Sequence, residues 1–200
     1  MQLLVGALLD RPPGPKYTAE LAFAELSLVG PLPKAPTLAK WRSALPGGFQ
    51  LALRIPASCW HPAAGPLRAS DELSAGLDWL SLAVDALAPA LLVLATTSEV
   101  TTGARDRKRL EEYISKLPRR DDMHIVWRPS GLWEPESTRR LADAMGVLPG
   151  FDPVDDPGPN GSVIYGSLLA EGLRRSFSQA LLLDVIDNLL SSDADMAYVT

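Results

Sequence analysis

Residues 41–61 read WRSALPGGFQLALRIPASCWH. Trp41 closes an apolar helical pattern over residues 37–45, which Pro46-Gly47-Gly48 cannot continue. Residues 49–55 are then nearly unbroken in apolar character, as in a strand covered on both faces. Arg54 is the exception, near the C-terminal end of that strand, with Pro56 stopping the ladder just beyond. Ligands of parallel α/β folds gather outside that end. Arg54 therefore either lines a site or snorkels to a surface carboxylate. The unit is helix end, turn, buried strand and polar loop, and the chain reads as repeats of it.

Working outward, further apolar runs cover residues 3–8, 23–29, 91–95, 123–128, 147–151, 162–165 and 196–199. Helical patterns fall between them over residues 16–21, 37–45, 71–87, 105–117, 135–145 and, after a Ser176-Phe177-Ser178 cap, to about residue 190. Ser70-Asp71-Glu72 is an N-terminal helix signal, and Pro135 suits a first helical turn. Alternation of eight strands with about six helices argues for a small (β/α)8 barrel, TIM-barrel-like, in one domain over residues 1–200. No final helix follows the eighth strand, so the barrel is expected to be incomplete or degenerate, with an apolar outer surface left for a second copy or another protein.

Composition narrows the function. The net charge is −5 and no long basic run occurs, which disfavours broad nucleic-acid binding. Arg105, Arg107, Lys108 and Arg109 are followed by Glu111 and Glu112, the pattern of a solvated helix face. Cys59 is the one cysteine, so no internal disulfide framework exists and a reducing cytoplasm is expected. Residues 1–6 lack the charged leader of a signal peptide, and no apolar run reaches the ~20 residues of a membrane span.

Candidate chemistry lies in the loops after the strands. Cys59, Trp60 and His61 put a thiol, an indole and an imidazole together, outside any metal-ligand spacing. Cys59 reads first as a small buried apolar group; His61 reads as packing or as pocket lining. Arg128 ends the fifth strand, with Trp133 in the loop beyond. Asp152 opens DPVDDPGPNG, whose three Asp invite a calcium reading, but the EF-hand spacing is absent and a rigid turn fits better. Glu25 on the second strand reads as a site carboxylate or, preferably, as a surface residue, since no partner is evident nearby.

The same residues carry a family resemblance. Trp41, Pro46, Phe49 and Arg54-Ile55-Pro56 resemble a W…P..F.F..K.P run of the YecE-like proteins, the domain of unknown function seventy-two. Leu32-Pro33 and Thr37-Leu38-Ala39-Lys40 stand at the matching spacing before the Trp. Arg54 replaces the family's Lys, keeping charge but not geometry. Arg128, Ser130 and Trp133 resemble parts of an E.R..SW run, with Val126 where the family has its acid. Tyr165 matches the family's Tyr, but the Arg and His that follow it there appear as Ser167 and Leu169. Membership would imply a barrel like those of metal-dependent sugar isomerases and abasic-site endonucleases, without implying a reaction.

These losses favour a pseudoenzyme, a non-catalytic binding or protein-interaction module with no cofactor and no metal. The alternative is an enzyme on a phosphorylated or anionic small molecule, with Arg54 and Arg128 as anion clamps. The ligand-binding set is expected to comprise Arg54, His61, Arg128, Trp133, Asp152 and Tyr165.

Overall fold

A computed structural model describes residues 1–168 and 176–200. Nine strands form one parallel sheet, in the order β1-β9-β8-β7-β6-β5-β4-β3-β2. They are β1 (Gln2–Val5), β2 (Leu8–Leu9), β3 (Phe23–Leu26), β4 (Gln50–Arg54), β5 (Leu91–Ala95), β6 (His124–Arg128), β7 (Leu148–Phe151), β8 (Val163–Gly166) and β9 (Met196–Val199). The described helices are α1 (Pro15–Glu20), α2 (Ala35–Ser43), α3 (Asp71–Leu87), α4 (Ala104–Ile114), α5 (Pro135–Met145) and α6 (Gln179–Leu190).

The sheet order is that of a curled, TIM-barrel-like sheet. β1 and β2 occupy its two ends, yet only Gly6 and Ala7 separate them in the chain. The predicted first strand is therefore one strand broken in the middle. Before the break it pairs with β9, where Gly6 N–H donates to Val199 O at 2.9 Å. After it, Glu25 N–H donates to Ala7 O at 3.1 Å and Ser27 N–H to Leu9 O at 2.8 Å. Gly6 is required there, because a Cβ would stand 2.5 Å from Phe23 O.

Two layers of apolar packing follow from strand alternation, in which residues two apart share a face. Phe23, Ala52, Val93, Val126, Tyr165 and Tyr198 pack together on the concave face. Leu26, Leu51, Leu53, Leu92, Leu94 and Trp127 point the other way, into the layer shared with the helices. α3 supplies Leu73, Leu80, Val84 and Leu87 to that layer. Its N-cap is Ser70, whose hydroxyl accepts from Leu73 N–H at 3.1 Å. Trp79, on the same helix, donates from Nε1 to Pro33 O at 2.8 Å. No described helix is long and apolar enough to cross a membrane.

Candidate functional site

Stepping two residues along each strand from the concave core leads to its C-terminal rim. Phe23 gives Glu25, Ala52 gives Arg54, Val126 gives Arg128, and Val163 gives Tyr165. These side chains converge. Arg54 Nε donates to Glu25 Oε1 at 2.6 Å. The Tyr165 hydroxyl donates to Glu25 Oε2 through a short hydrogen bond. It also lies 3.2 Å from Thr200 Oγ1, which is 3.3 Å from Ser167 Oγ. Burial and the adjoining Glu25 carboxylate push the Tyr165 phenol well above its usual range, so it is a neutral donor.

Glu25 corrects the preferred sequence reading. It is a rim carboxylate, 0% exposed on β3, rather than a surface residue. Its partners come from 29 and 140 residues away, which is why none was evident locally. The acid–base groups are therefore not all absent from the mouth. Both Glu25 oxygens are engaged, however, so its geometry is that of a group holding Arg54 and Tyr165 in place.

Arg54 and Arg128 line one cavity of about 350 Å³. Leu28, Ile55, Pro56 and Trp60 form its apolar wall, and Ser27, Thr96, Thr97 and Ser130 contribute polar groups. Arg128 Nε is buried with no hydrogen-bond partner among the described residues. Its aliphatic stem passes beside Gly150, where a Cβ would meet Arg128 Cβ at 2.9 Å.

The remaining predicted residues are distributed elsewhere. His61 Nε2 lies 3.0 Å from Glu99 Oε2, and its ring packs edge-on against Trp60. Cys59 is buried, and burial pushes its thiol up to about 11, which suits packing and opposes nucleophilic use. Trp133 donates from Nε1 to Val100 O at 2.9 Å and meets Trp127 edge-on at 4.8 Å. Arg107 stacks over Trp133, 5.9 Å from the ring centroid, so one member of the basic run is not simply solvated. Trp133 and Asp152 line a second cavity of about 200 Å³ beside α5. Asp152 Oδ1 accepts from Val154 N–H, and Asp156 Oδ1 accepts from Gly158 N–H and pairs with Arg139. The Asp-rich loop is thus built on turns that its own carboxylates close. Leu169, read against a family His, lies outside the described residues.

Comparison with solved structures places this fold beside proteins of the family that the sequence resembles. The DUF72 family protein EF0366 of Enterococcus faecalis V583 superposes with a TM-score of 0.74 at 13% identity, covering 99% of this chain and 89% of that one. The DUF72 family protein TM1631 of Thermotoga maritima MSB8 gives 0.71 at 14% identity, covering 100% and 91%. SacUVDE gives 0.62 at 10% identity, covering 100% and 93%. No family sequence model matches the chain, and no curated protein sequence does.

Proposed function

We propose that this chain, a divergent barrel with the DUF72 fold, binds a small anionic molecule in the mouth of its sheet. The observation that carries the reading is Arg128, which lines the same cavity as Arg54 and whose buried Nε has no hydrogen-bond partner among the described residues. A buried donor without a partner costs roughly 1–3 kcal/mol, and an anion whose oxygen reaches Nε removes that cost. Glu25 anchors Arg54 by one guanidinium nitrogen, Nε, and Arg54 lines the cavity beside it. Arg54 and Arg128 act as the clamp, and Tyr165 stiffens it from below through Glu25. His61, Trp133 and Asp152 sit outside this clamp, in roles of packing and turn formation. The reading is one of ligand recognition over residues 1–200, with no cofactor invoked.

The test is thermal unfolding at low ionic strength with phosphate, sulfate or acetate against chloride. A ligand at a hundred times its Kd adds about 2.7 kcal/mol, or on the order of 5–10 °C for a chain of this size. Arg128→Met should abolish the shift and Arg54→Met should reduce it. An Arg128→Met protein that shifts as far as wild type overturns the proposal.

A second reading, a protein-interaction module, rests on α6. Leu183, Ile186 and Leu190 share one face of that helix and remain exposed. It predicts a dimer or a hetero-complex, and light scattering showing a monomer unaltered by Leu183→Glu removes the dimer arm.

A further inference from the structure

We infer that the mouth selects a singly charged anion, a carboxylate carried on an apolar body, over a phosphate dianion. This rests on the anion-binding reading above and names the class of ligand it would take. Among the described residues lining the cavity, Arg54 and Arg128 are the only charged side chains. Arg54 is already neutralised, because Glu25 Oε1 lies 2.6 Å from its Nε. Among the described residues, the cavity's positive charge left without a partner is that of Arg128, whose buried Nε has no hydrogen bond. One uncompensated guanidinium calls for one negative charge. A dianion would bring a second charge next to the buried Glu25 carboxylate, where low polarisability makes like-charge repulsion strong.

Shape points the same way. The Nε edge of a guanidinium presents two parallel N–H groups and takes a planar two-oxygen acceptor side-on. The wall formed by Leu28, Ile55, Pro56 and Trp60 offers no charge and suits an aliphatic or aromatic body. The cavity of about 350 Å³ has room for such a body.

A matched pair of probes tests this. Phenylacetate and phenyl phosphate share the ring and differ in the head, and the phosphate monoester is largely dianionic at pH 7.5, its second pKa being about 6. Calorimetric titration of the full chain at low salt should show phenylacetate binding at least tenfold more tightly than phenyl phosphate, and at least tenfold more tightly than acetate. Glu25→Gln adds one uncompensated positive charge and should narrow or reverse the preference for the carboxylate. Phenyl phosphate binding as tightly as phenylacetate to wild type overturns the selectivity and leaves the anion site standing. Acetate matching phenylacetate overturns the apolar body. A folded Glu25→Gln protein with unchanged preference overturns the charge argument, and if that variant does not fold, the wild-type comparison decides. No response of the wild-type protein to any anion sinks the site and the selectivity together.

Discussion

A Cβ on Gly150 would stand 2.9 Å from Arg128 Cβ and 3.4 Å from a ring carbon of Tyr165. The missing methyl group at this rim position of β7 is what lets the Arg128 stem pack closely against the strand. Gly150→Ala should cost about 1–3 kcal/mol by overpacking and displace the guanidinium. Chemical denaturation measures the first effect, and loss of the anion-induced thermal shift measures the second. Wild-type anion response in a destabilised Gly150→Ala protein would dissociate the glycine from the site. At the same scale, Arg54 and Arg128 were readable as strand-end cations, whereas Glu25 was not readable as their neighbour. Residues 23–26 are buried on both faces, so their composition carries no mark of which face is concave.

Elements were legible wherever local signals agreed. α3 spans Asp71–Leu87 as its cap and apolar spacing require, and the Ser70 hydroxyl accepts from Leu73 N–H. Ser70→Ala should therefore cost about 1 kcal/mol, read as a lower denaturation midpoint at unchanged slope. Strand ends were less legible. The apolar run predicted as a strand over residues 23–29 stops at Leu26, where its pairing with Leu9 of β2 and with Leu53 of β4 also ends. α6 shows the converse: its apolar pattern is wider than the stripe its neighbours cover. Val185 and Leu189 are buried, while Ile186 and Leu190 are exposed.

The whole molecule buries several groups in their protonated forms. Burial pushes Cys59 from 9.0 up to about 11, and it raises Tyr17, Tyr113, Tyr165 and Tyr198 above their usual value of 10.0. The folded chain keeps protons that the unfolded chain releases above about pH 9, so unfolded molecules bind fewer protons there and stability falls as pH rises. This stabilisation is fully present below about pH 9 and is lost progressively above it. Urea midpoints should be flat near pH 7–8 and decline from pH 9 to 11. Cys59→Ala should flatten the first part of that decline. A midpoint constant to pH 11 would contradict the burial of these groups.

Alternation of strands and helices was settled by the chain itself, because hydrophobic periodicity, caps and Pro-Gly turns act over a few residues each. The curl that brings the two edges of the sheet together at one broken strand, β1 and β2, was not, since it depends on a close approach of Gly6 to Phe23 that only the folded sheet creates. The same holds for the rim. Alternation dictates which residues share a face, but only curvature decides which face becomes the inside, and with it whether Glu25, Arg54 and Tyr165 ever meet.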